Sequence, residues 1–319
     1  MTIGSRSEIP LNPNAKELFL TSVEAYSRIL VLGGSGWFGR TALAMLGPRV
    51  ADSIVIGSHE RTIIVGNRQI QIRTWSRRLV DQFNPDLVLD FAFLTRDFES
   101  TLGAKKFRAI NSLLSSRLVE LSRMASVQKI LTISSGASVV SKLGSNSSTL
   151  DTYGQQKLAT ENALKAATAQ SGVEVAVARA WSVSGGHVQK YRSYAFSDLI
   201  HSAVHGGPIS VKAKNLVTRR YCSVEDFLAV VLASSQGEPW AEIDSGGPLV
   251  EMAELAEAVA QEVGRRGALA LSKYRDTGVT DAYHSDNTSW VTACESTGAN
   301  PLTLGEQIRN VRLALSEFH

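Results

Sequence analysis

The sequence has few cysteines and no long apolar run, and each of these excludes a class of protein. Cys222 and Cys294 are the only cysteines among 319 residues, too few for a disulfide framework and without the spacing of metal ligands. A reducing cytoplasm is therefore the simplest setting, and we expect no metal. No apolar run approaches the ~20 residues that a membrane-spanning helix needs, and the start of the chain lacks the pattern of a secretion signal.

The chain also carries little net charge. Its formal charge is +3 and no block of lysine or arginine occurs, which argues against nucleic acid as a partner. A hydrophobic content of 44% and a charged content of 20% are ordinary for a globular protein. The length allows one large α/β unit with an elaboration, together with a substantial core.

Short apolar strands alternate with helices from residue 28 onward, which predicts an α/β fold with a doubly wound parallel sheet. Gly66-Asn67 predicts the turn of an added hairpin. A ligand of such a sheet binds at the carboxyl ends of the strands, where the strand order reverses. We expect strands at 28–32, 53–56, 62–65, 69–72, 87–91, 129–133 and 173–178, and helices at 38–46, 77–83, 107–125 and 153–168.

Changes in residue composition and pattern divide the chain into three parts. Residues 1–27 read as an extension, 28–180 as the parallel-sheet domain, and 181–319 mostly as a smaller cap whose segments partly return to the sheet. Within the cap we expect helices at 197–205, 224–233 and 250–263, and strands at 209–211 and 220–222.

A glycine turn joins the first strand to the first helix of the sheet domain. Small residues there let the backbone approach a pyrophosphate, and the helix N-terminus offers free N–H groups with a partial positive charge. The turn therefore predicts a dinucleotide cofactor. The candidate contacts are Gly33, Ser35, Gly36, Trp37, Phe38 and Gly39.

The second strand leaves the choice of dinucleotide open. An NAD-binding sheet usually has an acid at the end of this strand, but the position holds Gly57 or Ser58. Ser58 and Arg61 are candidates to accept a 2′-phosphate, which slightly favours NADP over NAD. Glu60 is the alternative, as a displaced acid for NAD, and Arg61 is equally well explained as a solvated loop charge.

Tyr153 and Lys157 lie four residues apart and therefore share one face of a helix. An ammonium group near a phenol favours the phenolate, so the tyrosine can act as an acid or base toward a carbonyl or hydroxyl. Ser135 ends the preceding strand and is the candidate to polarise the same substrate oxygen. Ser134 and Ser138 are alternatives for that role.

In this order, these motifs resemble the extended branch of the short-chain dehydrogenase/reductase superfamily, whose members modify nucleotide sugars. Further landmarks of the resemblance are the segments 90–96, 179–185 and 219–226. The resemblance implies catalysis by Ser135, Tyr153 and Lys157, and a homodimer formed through the helices at 107–125 and 153–168. It further implies cofactor contacts from Phe91, Ala92, Asn111 and Lys157, and substrate contacts from Thr95, Ser182 and Arg219, with Arg219 on the substrate diphosphate.

Departures from the family pattern narrow the expected reaction. Gly136-Ala137 stands where the 4,6-dehydratases carry Asp-Glu, which argues against dehydration. Hydride transfer at C4 of the hexose remains, with a 4-ketoreductase slightly favoured by the preference for NADP. The alternatives are a nucleotide-sugar 4-epimerase with tightly bound NAD, a reductase of a non-sugar carbonyl, and a non-catalytic dinucleotide-binding sensor or scaffold. Four residues of a glycine-rich segment are candidates for sugar recognition or are surface loop residues: His187, Lys190, Tyr191 and Arg192.

Overall fold

A large parallel sheet forms the centre of the protein. The computed structural model describes residues 9–143, 152–211, 213–271 and 280–316. The sheet has the strand order β12-β7-β6-β5-β1-β2-β4-β3. Its strands are β1 Ile29–Leu32, β2 Ser53–Gly57, β3 Arg61–Val65, β4 Arg68–Thr74, β5 Leu87–Asp90, β6 Lys129–Ser135, β7 Glu174–Ala180 and β12 Trp240–Asp244.

The strand order reverses between β1 and β5, as expected for a doubly wound sheet. From β1 the chain moves outward to β2 on one side, whereas β5, β6 and β7 follow on the other. The amide of Phe91, just after β5, donates to the carbonyl of Leu32, the last residue of β1. The glycine turn and the end of β5 therefore face one crevice, which is where such sheets bind ligands.

The predicted hairpin is confirmed and replaces a crossover helix. β3 runs antiparallel to β4, and β4 pairs in parallel with β2. The chain thus returns from β2 through an edge strand rather than through a helix. Ile63, Ile70 and Ile72 point to one face of the hairpin and are buried in the main core.

Helices cover the sheet, and smaller sheets form the cap. The helices are α1 Pro13–Val23, α2 Trp37–Leu46, α3 Arg77–Phe83, α4 Asp97–Leu102, α5 Ala104–Leu121, α6 Gly136–Lys142, α7 Thr152–Thr168, α8 Ala195–Val204, α9 Val224–Ser234, α10 Met252–Glu262, α11 Thr288–Thr297 and α12 Leu304–Ser316. The remaining strands are β8 Val183–Ser184, β9 Ile209–Val211, β10 Leu216–Arg220, β11 Cys222–Ser223, β13 Leu249–Glu251, β14 Leu269–Leu271 and β15 Thr280–Ala282.

Some element boundaries differ from the expectation. Gly103, with φ of 76°, separates α4 from α5, and α5 ends at Leu121 rather than at residue 125, where the chain enters a tight turn. The strand expected at 220–222 is divided at Tyr221, because β10 pairs with β13 while β11 pairs with β8.

Part of the C-terminal region belongs to the large sheet. β12 pairs in parallel with β7 and forms one edge of the large sheet. The cap has its own apolar core, in which α8, α10 and α12 meet around Phe196, Leu255 and Ile308. Within the described ranges, no helix combines the length and the apolarity that crossing a membrane requires.

The extension before the first strand packs into the main core through α1, although its residues 1–8 lie outside the described part. Ala15, Phe19 and Val23 of α1 are buried, and Phe19 is fully inaccessible. Asn12 caps α1, and its amide also donates to the buried carboxylate of Asp226 at 2.6 Å. The helix is therefore an integral part of the fold.

We expect Phe19→Ala to destabilise the protein by about 3–5 kcal/mol, because the substitution leaves a cavity between α1 and the main core. Urea unfolding measures the change. Leu313→Ala is the control, since Leu313 is 39% exposed and its truncation should change stability by only about 0.5 kcal/mol. Equal effects of the two substitutions would show that α1 does not contribute to the core.

Candidate active site

A cavity of about 1100 Å³ lies at the carboxyl end of the sheet, between the sheet and the cap. Its walls come from β5, β6 and α7 on one side and from the cap on the other. Eleven of the residues singled out in the sequence line it: Trp37, Phe38, Phe91, Ala92, Thr95, Ser134, Ser135, Tyr153, Lys157, Ser182 and Arg219.

The glycine turn has the geometry of a phosphate cradle. A Cβ at Gly39 would lie 2.4 Å from the carbonyl oxygen of Gly33, so the turn closes only with glycine there. A Cβ at Gly36 would meet only the Gly33 carbonyl, at 3.4 Å, so the front of the turn is open. Gly36 is also the N-cap of α2, and no side chain in the described part caps that helix. Open backbone and an uncapped N-terminus fit the pyrophosphate of a dinucleotide.

Two of the other residues of the turn have defined surroundings. The carbonyl of Ser35 accepts a hydrogen bond from Arg40 Nε at 3.2 Å, which ties the turn to its own helix. The ring of Trp37 packs edge-on against Tyr194 of the cap, with 5.1 Å between ring centroids. The turn thus contacts α2 through Arg40, and Trp37 at the start of α2 contacts the cap.

Ser58 and Arg61 do not line the cavity. The hydroxyl of Ser58 lies 2.8 Å from His59 Nδ1, and Arg61 is exposed at the start of β3, in register with Ile72. Both follow β2 at the side of the glycine turn, where the adenosine half of a dinucleotide would lie. The geometry therefore leaves the expected preference for NADP as a prediction.

Asn111 lies where α5, α7 and the loop after β5 meet, and its role as a cofactor contact stays a prediction. Its side chain is fully buried in α5. Its Oδ1 accepts from the amide of Leu94 at 2.8 Å, and its Nδ2 donates to the side chain of Gln156 at 3.2 Å. Asn111 thus braces the loop after β5 against α7, because its amide is used within the protein.

The three candidate serines differ in the groups that surround their hydroxyls. Ser134 donates to the carboxylate of Glu161, and Ser138 donates to the same carboxylate at 2.7 Å, so both hydroxyls are committed to the interior. Ser135 faces the cavity, forms a hydrogen bond with Tyr153, and has its Oγ 3.5 Å from the hydroxyl of Tyr283. Of the three, Ser135 is the one with a hydrogen bond to Tyr153.

Lys157 is buried at the base of the cavity. Its Nζ donates to the carbonyl of Ile133 at 2.7 Å and lies 3.7 Å from the ring centroid of Phe93. Burial lowers the pKa of the ammonium group to about 8, while the charges of Asp90 and Glu161 oppose that shift. Lys157 therefore changes its charge at the upper end of the physiological range.

Tyr153 has two cations near its ring. Lys157 Nζ is 6.0 Å and the guanidinium carbon of Arg96 5.9 Å from the ring centroid. Burial raises the pKa of the phenol, and the hydrogen bond with Ser135 and the charge of Arg96 act in the opposite direction. The tyrosine is thus neutral at neutral pH in this state, and a nearby positive charge favours its phenolate.

Arg219 is held in place by a carboxylate from the cap. Its guanidinium makes a two-pronged contact with Asp281, at 3.2 and 3.0 Å, and lies over the ring of Tyr283. The side chain still faces the cavity. A fixed guanidinium at a cavity wall suits recognition of a phosphate group.

Two aromatic residues of the cavity wall were not singled out in the sequence. Trp181 and Tyr283 pack together with 5.0 Å between ring centroids, and both line the cavity. The Trp181 ring lies directly on Gly136, where a Cβ would come within 2.1 Å of it. Isolated aromatic residues carry no motif, so only the fold reveals this contact.

The four residues singled out in the glycine-rich cap segment lie outside the cavity wall. His187, Lys190, Tyr191 and Arg192 do not line it, whereas the neighbouring Tyr194 does. His187 is buried, and burial lowers the pKa of its imidazole to about 4. Lys190 forms an ion pair with Asp97, whose carboxylate also accepts from Thr95, and so links the cap to the loop after β5.

Comparison with known proteins gives a match to one family over most of the chain. Residues 29–239 match the model of the NAD dependent epimerase/dehydratase family. No curated protein matches the sequence significantly.

Solved structures share the fold at low sequence identity. A UDP-glucose 4-epimerase from Brucella ovis in complex with NAD is 18% identical, with a TM-score of 0.71, over 91% of this chain and 98% of that one. A UDP-glucose 4-epimerase from Thermotoga maritima with UDP-glucose is 20% identical, with the same TM-score and coverage. An epimerase from Methanothermobacter thermautotrophicus is 19% identical, with a TM-score of 0.73, over 94% of this chain and 96% of that one.

We expect Gly39→Ala to weaken binding of NAD and of NADP by about tenfold or more, because the added methyl group forces the turn apart and misplaces its N–H groups. Fluorescence titration measures the affinity. Gly305→Ala is the matched control, since a Cβ there meets open space. Unchanged affinity in Gly39→Ala would show that the glycine turn does not bind the cofactor.

Proposed function

Because the chain belongs to the NAD-dependent epimerase/dehydratase family, we propose that it is a nucleotide-sugar 4-epimerase that uses NAD. The observation that carries the proposal is the placement of Ser135, Tyr153 and Lys157 in one cavity, which Trp37 and Phe38, at the start of the helix that follows the glycine turn, also line. The solved epimerases of the same fold that hold NAD or UDP-glucose support the choice of cofactor and substrate class.

Each of the three side chains has a defined task in this proposal. Tyr153 exchanges the proton of the C4 oxygen through its hydroxyl, and Ser135 donates a hydrogen bond to the same oxygen. Lys157 favours the phenolate of Tyr153 through its positive charge. A bound NAD would supply the hydride acceptor and donor for C4, and the glycine turn with the start of α2 would hold its pyrophosphate.

The substrate would extend from these groups toward the cap. Arg219, fixed by Asp281, is the proposed contact of the diphosphate, and Ser182 and Thr95 lie on the walls nearer the sugar. Gly136 bears on the reaction as well. Because the Trp181 ring occupies the space in front of it, the first acid of a dehydratase's pair, at position 136, would collide with that ring.

A ketoreductase is the second candidate, and it shares these residues. It would consume free NADPH instead of retaining its cofactor. Ser58 and Arg61, beside the carboxyl end of β2, are the observation that favours it. The NADP preference and the reductase outcome stay predictions.

A single preparation distinguishes the candidates. Native mass spectrometry of the fresh protein, followed by denaturation, identifies any retained dinucleotide. The protein is then incubated with UDP-glucose without added cofactor, and we expect stoichiometric NAD and formation of the C4 epimer. An empty protein that oxidises NADPH with a 4-keto nucleotide sugar would favour the reductase. A protein that retains a dinucleotide but converts no nucleotide sugar would favour a non-catalytic sensor.

We expect Tyr153→Phe to lower turnover by about 10²- to 10⁴-fold, the usual contribution of a general acid–base group, with unchanged cofactor affinity. Epimerisation rate and cofactor titration measure the two effects. Tyr191→Phe is the matched control, because Tyr191 stacks on His201 outside the cavity. Full activity of Tyr153→Phe would refute the assigned proton transfer.

We further propose a homodimer formed through α5 and α7. These helices pack on each other through Ser115 and Thr160, whose hydroxyls are 2.6 Å apart, and Leu113 of α5 is 51% exposed. Two such helices from each subunit would form a four-helix interface. Analytical ultracentrifugation at micromolar concentration should give a dimer, and Leu113→Glu should shift it to monomer. A wild-type monomer at that concentration would contradict the proposal.

A further inference from the structure

A largely buried carboxylate at the end of β5, that of Asp90, is among the groups that line the cavity. Asp90 is 9% exposed. Its Oδ2 accepts from the hydroxyl of Thr132 at 2.8 Å and its Oδ1 from the amide of Ala92 at 3.1 Å. Both donors are neutral. Within the described residues, no cation lies within ion-pair distance of Asp90. Burial raises the pKa of its carboxyl group, and the charge of Lys157 and the two hydrogen bonds oppose that shift.

The neighbouring carboxylate is already balanced. Glu161 receives Arg179 Nη2 at 2.7 Å and the hydroxyls of Ser134 and Ser138. Arg179 is shared with Glu242, also at 2.7 Å. The negative charge of Glu161 is therefore largely satisfied by its own partners. Of the two carboxylates whose charges act on Lys157, Asp90 is the one without a cation in contact among the described residues.

Lys157 is likewise a buried charged group without an opposite charge in contact in the part of the chain that the structure describes. Its contacts are a carbonyl oxygen and an aromatic face, neither of which carries a full charge. Burial in such surroundings disfavours the ammonium form, and Asp90 is the first charge that opposes this. An unpaired buried anion and an unpaired buried cation thus lie on neighbouring elements.

A cavity of about 10 Å³ lies between the two groups. Asp90, Thr132, Lys157 and Glu161 are among the residues that line it. This is about the room that one water molecule needs, and although much of the wall is apolar, the side chains of Asp90 and Lys157 offer it hydrogen-bond partners.

We propose that Asp90 is a positioning residue for proton transfer: through one water molecule in this cavity, its carboxylate keeps Lys157 positively charged beneath Tyr153. The inference rests on the proposed function, since it acts through the residues assigned to catalysis. Its consequence is that Asp90 determines the pH above which the enzyme loses activity.

Several charged and titratable groups face Lys157 and Tyr153, and they determine which substitution tests the proposal. Asp90 on β5 and Glu161 on α7 face Lys157. Arg96, Tyr194 and Tyr283 face Tyr153 from the loop after β5 and from the cap. Of the two anions that face Lys157, Asp90 is the one with no arginine in contact, so its removal should have the larger effect.

The test is Asp90→Asn, which removes the charge and keeps the shape. NMR titration of isotope-labelled lysine side chains, with Lys157 assigned by its loss in Lys157→Met, should show a Lys157 midpoint about one pH unit lower than in wild type. The alkaline limb of the epimerisation rate should move to lower pH by the same amount. Removing a negative charge makes the ammonium less stable, which gives the sign of both shifts.

Thr132→Val is the matched control, because it removes a hydrogen bond from Asp90 but keeps the carboxylate. We expect its Lys157 midpoint to stay within a few tenths of a unit of wild type. Asp90→Ser is a second neutral variant in case Asp90→Asn does not fold. A folded neutral variant with the wild-type Lys157 midpoint would overturn the proposal.

Two further readouts separate this proposal from the proposed function. The NMR titration needs no turnover, so a shifted midpoint in a protein that converts no nucleotide sugar would support the role of Asp90 and refute the epimerase. A high-resolution crystal structure of the wild type should contain a water between Asp90 and Lys157. A dry cavity with the carboxylate turned away would overturn the inference.

Discussion

The burial of one ammonium group connects the sheet, the helix α7 and the cavity. Lys157 donates to a carbonyl of β6, lies on a ring from the loop after β5 and shares a small cavity with the carboxylate that ends β5. An ammonium in the interior is costly unless hydrogen bonds and opposite charge surround it. The ends of β5 and β6 supply these, so the relative position of two strands and one helix also determines the electrostatics of Tyr153.

The crevice itself depends on the reversal of strand order between β1 and β5. The Cβ that Gly33 lacks would lie 2.6 Å from the carbonyl oxygen of Phe91, so the two strand ends approach each other at backbone distance. On the far side of β2, the hairpin of β3 and β4 takes the place of a crossover helix. The half of the crevice next to the hairpin therefore differs most from a regular doubly wound sheet, and it is the half where cofactor preference is decided.

Local signals in the sequence predicted the elements that local chemistry determines. The hairpin at Gly66-Asn67, the glycine turn and the helix that carries Tyr153 and Lys157 were all identified from patterns within a few residues. The elements that sequence patterns missed are defined by long-range contacts. β10 and β11 separate because their partners lie in different sheets.

The same limit applies to the candidate site. The choice among three neighbouring serines depends on Glu161, more than twenty residues away on α7. No local pattern predicts that Trp181 and Tyr283 meet at the cavity wall, and the contacts of Asn111 depend on which backbone groups the fold places beside it.

The contact between Gly136 and Trp181 has a consequence for how this chain can evolve. Any side chain at position 136 collides with the indole ring, so a substitution there is tolerated only after Trp181 has become smaller. Shrinking Trp181 first gives up its hydrogen bond to Asp244, at 2.6 Å, and its packing on Tyr283. Two neighbouring positions thus form an epistatic pair, and a mutational path from this chain toward dehydration must first cross an intermediate of lower stability.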